Sequence, residues 1–71
     1  MLKETTVNRE LKAYRAKNGL TQKDMANIIG VDETTYHLKE NGKRTFNIRE
    51  VQTLKSKTGM SNEEAIVIFL K

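Results

Sequence analysis

The sequence predicts an all-α domain of five short helices, and three observations carry that expectation. Apolar residues recur at spacings of three and four, beginning with Val7, Leu11 and Tyr14, the period of a helix with one buried face. Four glycines and a series of Ser, Thr, Asp and Asn cap signals cut the pattern into short segments. No stretch of the chain demands a strand.

The first helix is expected over about residues 7–18, after a loose arm at residues 1–5. Gly19 follows it as a residue able to take positive φ without a Cβ clash. Thr21 is the next N-cap, with Asp24 three residues later able to reach back, and Gln22 opens the second helix. Met25, Ala26, Ile28 and Ile29 supply its apolar face, and Gly30 ends it. Val31 packs in the turn, Asp32 caps the third helix, DETTYHLKE, and Asn41-Gly42 stops it. Asn47 with Glu50 opens a fourth helix with Ile48, Val51 and Leu54 inward, and Gly59 closes it. Ser61 with Glu64 caps the fifth, whose Glu63 and Glu64 lie near its positive N-terminal end. With no repeat, low-complexity tract or internal linker, residues 1–71 read as a single domain.

The chain of 71 residues carries 13 Lys+Arg against 9 Asp+Glu, a net charge of +4. A core of this size supplies about 3–5 kcal/mol without staples. The absence of cysteine excludes disulfides and thiolate metal sites. His37 is the only histidine, which argues against a zinc site and against a Ser-His-Asp triad. Met1, Met25 and Met60 read as a start residue and gap-fillers. Neither an enzyme, nor a metal or other cofactor, nor a small-molecule substrate is therefore expected. No apolar run reaches the roughly 18 residues of a membrane span, and MLKETT lacks the apolar core of a signal peptide. These features predict a cytoplasmic binding module with no membrane partner.

Charge is unevenly placed. Residues 1–20 hold five bases and two acids and residues 41–57 hold five bases and one acid, whereas residues 21–40 hold two bases and four acids. Basic flanks suit an anionic partner such as nucleic acid, although solvated surface is the plainer alternative. The middle segment has the wrong sign for contact with DNA.

The stretch TQKDMANIIGVDETTYHLKENGKR, Thr21 to Arg44, has the layout of a helix-turn-helix formed by helices two and three. Ala26 is small enough to let the helices cross closely, Gly30 permits the sharp turn, Val31 plugs the corner, and Tyr36 lies inward. On GLTQKDMANIIGV at 19–31 and KENGKR at 39–44, the chain resembles the Cro/repressor-type helix-turn-helix family, also called the xenobiotic-response-element family. The resemblance runs from about Asn8 to Leu70, and implies a five-helix Cro/repressor-like domain.

The resemblance also implies roles. Gln22 matches a glutamine that bonds a DNA phosphate while touching the recognition helix. Asp32, Glu33, Thr34, His37 and Leu38 occupy recognition-helix positions that face the major groove. Asn41, Lys43 and Arg44 match a loop that clamps phosphates through side chains and backbone N–H groups. Arg15 and Glu40 match a buried ion pair between the first helix and the end of the third. Structural alternatives stand beside each DNA role: Gln22 as a helix-start residue, Asn41-Gly42 as a helix stop, Lys43-Arg44 as solvated charge, and His37 as an exposed helix residue rather than a metal ligand.

Three departures shape the functional reading. Lys39 stands where most family members have an aliphatic residue, a trait similar to relatives from phages of Gram-positive bacteria; its methylene stem can still cover apolar surface. Asp32 and Glu33 open the recognition helix with carboxylates, and no arginine is present there to read guanine, although Glu can accept from cytosine and Thr34 or Thr35 can touch a thymine methyl. AIVIFL at 65–70 cannot turn every side chain to one core stripe. Ile66, Val67, Ile68, Phe69 and Leu70 are therefore candidates for a protein interface, in a homodimer or a heterocomplex. Two functions follow. The first is a small phage- or mobile-element-type transcriptional regulator binding double-stranded operator DNA in the bacterial host cell. The alternative is a modulator, or antirepressor, gripping a partner repressor; in length and character the chain resembles the small lactococcal-phage modulators of repression.

Overall fold

The computed structural model describes residues 2–69, with side chains from residue 9 onward. Five helices follow in order, α1 (Leu2–Lys17), α2 (Gln22–Ile29), α3 (Glu33–Glu40), α4 (Ile48–Thr58) and α5 (Asn62–Phe69), and the described residues include no strand.

The cap signals set the boundaries. Thr21 Oγ1 accepts the Asp24 N–H at 3.0 Å while the Asp24 carboxylate accepts the Thr21 N–H at 2.9 Å, so two of the orphan donors at a helix start are satisfied reciprocally. Asn47 and Glu50 repeat the exchange at 2.8 and 3.0 Å, as do Ser61 and Glu64 at 3.0 and 2.8 Å. Asp32 caps α3 by accepting the Thr35 N–H at 2.8 Å. Helix α1 begins at Leu2, earlier than the expected residue 7, because nothing in LKETTVNRE breaks a helix; residues expected as a loose arm continue it. The side chain of Val7 lies outside those described.

Leu11, Tyr14, Met25, Ala26, Tyr36, Leu54, Met60, Ala65 and Ile68 form one core drawn from all five helices and the turn before α5. Tyr14 Oη donates to Thr58 Oγ1 at 3.1 Å, tying α1 to the end of α4. An edge-to-face aromatic series runs from Tyr36 through Phe46 to Phe69, with centroids 6.2 and 5.2 Å apart.

Two apolar expectations are corrected. Ile48 is not inward but 74% exposed, because it occupies the first position of α4, which reaches the core only a turn later, at half-buried Val51 and buried Leu54. Ile68 is not available to a partner: it is 3% exposed and belongs to the core with Ala65, three residues before it. Phe69 is half-buried against Phe46. Ile66 and Val67 do face solvent, at 52% and 41% exposure, and Leu70 lies outside the described residues.

Candidate nucleic-acid interface

The orientation of α3 is fixed from beneath by a buried carboxylate. Glu40 has no exposed surface and accepts from Arg15 Nε at 2.9 Å, Tyr36 Oη at 2.8 Å and Gln22 Nε2 at 2.8 Å. Arg15 Nη1 also donates to the Leu20 carbonyl at 3.1 Å. Burial pushes the Glu40 carboxyl upward, but the bonds from Arg15, Gln22 and Tyr36, with the charge of Arg15, outweigh it and hold the group below the ordinary carboxylate range. The bond to Glu40 raises the Arg15 guanidinium, and burial, then the neighbouring carboxylate, drive the Tyr36 phenol well above its usual value. One residue thereby joins α1, α2 and α3. Tyr36 was expected only as an inward packing residue; its spacing of four from Glu40 on one helix face was the signal for the bond.

With its inner face held, α3 leaves Glu33, Thr34 and His37 exposed, while Leu38 is half-buried. Asp32 is exposed, and its carboxyl is held low by the bonds from Thr35, with a smaller contribution from the charge of Arg44. The Asn41 side-chain amide lies 2.9 Å from His37 Nε2, linking the two side chains one helical turn apart. Gln22 is half-buried, and the bond to Glu40 engages its amide nitrogen.

Lys43 and Arg44 are exposed in the loop after α3. The loop is closed by its own backbone: the N–H groups of Asn41, Gly42, Lys43 and Arg44 donate to the carbonyls of His37, Lys39, Leu38 and Leu38, at 3.1, 3.2, 2.8 and 3.3 Å. Those N–H groups are therefore not free for a phosphate, which corrects the expectation that they join the clamp and leaves the ammonium and guanidinium to hold any anion. Lys39 fixes the far side. Its Nζ donates to the Thr45 carbonyl at 2.8 Å, pairs with Glu50 at 3.1 Å and lies 5.8 Å from the centre of the Phe46 ring. The sequence offered its stem as apolar cover; the ammonium ties the loop to α4.

The turn between α2 and α3 has the geometry that close helix crossing requires. Gly30 takes φ 79°, its N–H and that of Val31 both return to the Ala26 carbonyl, and Ala26 is 1% exposed. The helix-turn-helix family profile matches residues 11–61, which spans both helices, this turn and the loop beyond. The chain belongs to the helix-turn-helix family. No curated protein and no solved structure gives a significant match. As a DNA-binding helix-turn-helix regulator it carries α3 in the place of the helix that enters the major groove. The five-helix, Cro-like arrangement surrounds that motif, with α1 and α4 buttressing α3 and α2, and α5 closing the core. No helix of the described residues is long and apolar enough to cross a membrane.

Proposed function

We propose that this helix-turn-helix protein is a transcriptional regulator of a phage-type genetic switch, binding operator DNA in the bacterial host. The observation that carries the reading is the exposed pair Lys43 and Arg44, on a loop closed by the carbonyls of α3 and tied by Lys39, directly beside the solvent face of α3. Lys43 and Arg44 hold phosphates by charge, with Asn41 and Gln22 as polar contacts at the edge of the face. Glu33, Thr34 and His37 meet base edges, Glu33 accepting from cytosine N4 and Thr34 touching a thymine methyl. Asp32 serves the face indirectly, as the cap that starts α3, and Leu38 as the carbonyl that closes the loop.

Fluorescence anisotropy with labelled duplex DNA over a salt series tests this. Lys43→Ala and Arg44→Ala are each expected to weaken binding to every sequence and lower the salt slope by about one, while Thr34→Ala changes sequence preference. A folded protein that binds no duplex at about 50 mM salt would falsify the reading.

A second reading rests on the exposed acidic head of α3, Asp32 and Glu33: a modulator whose α3 pairs with the basic recognition surface of a partner repressor. The two readings give Glu33→Lys opposite consequences. A modulator loses at least tenfold in partner affinity, about 1.4 kcal/mol. A DNA binder gains non-specific affinity and loses sequence preference.

A further inference from the structure

Outside the α3 face, the surface is broken by a groove of about 760 Å3 between the α3–α4 loop, α4 and α5. Its apolar lining comprises Phe46, Ile48, Val51, Ala65, Ile66 and Phe69. Ile48 and Ile66 stand exposed at 74% and 52% on walls contributed by α4 and α5. The fold accounts for neither. The start of α4 is secured by the Asn47–Glu50 capping box, which needs nothing from Ile48, and the buried stripe of α5 is Ala65 and Ile68. Among the described residues the charged lining is Lys39, Arg44 and Lys55, with no carboxylate. Lys39 is answered by Glu50 at 3.1 Å, but Lys55 is bonded only to the neutral amide of Asn62 among the described residues. Arg44 is exposed and forms no salt bridge among them.

We infer that this groove is a docking site for an amphipathic helix of a partner protein, with an apolar face and acidic flanks. The helix seats its apolar side on Phe46, Ile48, Ile66 and Phe69 and turns carboxylates to Arg44 and Lys55. An extended peptide is the poorer occupant, since the described residues offer no sheet edge to extend. A second copy is poorer too: in a two-fold contact the same patch faces itself, and its described lining offers Arg44 and Lys55 no carboxylate. DNA offers nothing to the isoleucines. Because Arg44 also belongs to the proposed phosphate clamp, a docked acidic helix withdraws it from DNA and so antagonises operator binding. That consequence rests on the DNA reading; the docking itself does not.

The probe is a fluorescein-labelled helical peptide of about 16 residues, with leucines at helical spacing and glutamates on the flanks, about 24 Å long. That length matches the 27 × 26 × 22 Å extents of the domain. Its anisotropy is followed with the whole protein in the absence of DNA, alongside a twin peptide carrying lysine in place of every glutamate. The acidic peptide is expected to bind at least about tenfold more tightly than its basic twin. Ile48→Ser and Ile66→Gln, neutral changes at exposed positions, should each weaken it about tenfold with melting unchanged. Arg44→Gln should weaken it severalfold, which keeps the charge arm readable if an isoleucine variant melts early. Equal binding of the two peptides, no binding at about 1 mM, or affinity indifferent to all three substitutions overturns the inference. So does a wild-type dimer in sedimentation equilibrium that Ile66→Gln converts to monomer, because the groove then belongs to a second copy. A second titration with duplex DNA present reads the antagonism separately: peptide binding that leaves DNA affinity untouched removes the consequence and retains the site.

Discussion

A carboxylate without exposed surface is tolerable only when its lone pairs are answered, and Glu40 finds four donors on three side chains. Removing one side of the ion pair strands the other. Glu40→Ala or Arg15→Ala is therefore expected to cost about 3–5 kcal/mol, comparable to the stability of so small a domain, and denaturant titration should find either variant largely unfolded. Tyr36→Phe is the gentler probe, removing one bond to the charged group for about 1.5–3 kcal/mol. It also predicts a pH signature. Glu40, Asp24 and Asp32 all sit below the ordinary carboxylate range in the folded chain. As pH falls the unfolded chain takes up their protons first, so stability holds above about pH 5 and declines below it. Without the Tyr36 bond the folded pKa of Glu40 rises, its contribution shrinks, and the acid limb of a melting profile should flatten. The Arg15–Glu40 pair was legible through a family resemblance. The same resemblance puts Gln22 against α3 without naming Glu40 as its partner, and the Tyr36 bond is signalled only by a spacing of four on one helix face, which does not say that the carboxylate will be buried.

At the scale of single elements, the turn and the loop make separate demands. Gly30 occupies the left-handed region at φ 79°, and a Cβ there would meet nothing within 4 Å, so the constraint is conformational rather than steric contact. Gly30→Ala should lower stability by about 1–2 kcal/mol, and Gly30→Asn by less, as measured by chemical denaturation. Lys39→Met keeps the stem against Phe46 and removes the ammonium. Melting should fall by no more than about 1 kcal/mol in stability, while the amides of Lys43 and Arg44 exchange faster with deuterium as the loop loses its tie to Thr45 and Glu50. Helix starts and stops were readable because caps are local chemistry: Thr21, Asp32, Asn47 and Ser61 each do what their neighbours three residues on allow. The head of α1 was not readable, since no breaker or cap marked it. Ile48 keeps the helical spacing of a core residue yet stands exposed, because spacing alone does not reveal where a small core ends.

Across the whole molecule, a net charge of +4 conceals a division of surfaces. The solvent face of α3 opens with two carboxylates, the loop beside it carries Lys43 and Arg44, and the far side of that loop borders an apolar groove. Six consecutive apolar residues in the sequence signalled that α5 would show some of them outside the core. Only the packing of Ala65 and Ile68 against the other helices decided that these are Ile66 and Val67. The central claim, that α3 and its following loop meet duplex DNA, is tested most directly by titrating duplex DNA into isotope-labelled protein at about 50 mM salt and following each backbone amide by NMR. The account predicts shifts clustered at Gln22, Glu33, Thr34, His37, Asn41, Lys43 and Arg44, with Ile48, Ile66 and Val67 unmoved. Shifts confined to Ile48, Ile66 and Val67, or a spectrum that no duplex perturbs, would contradict it.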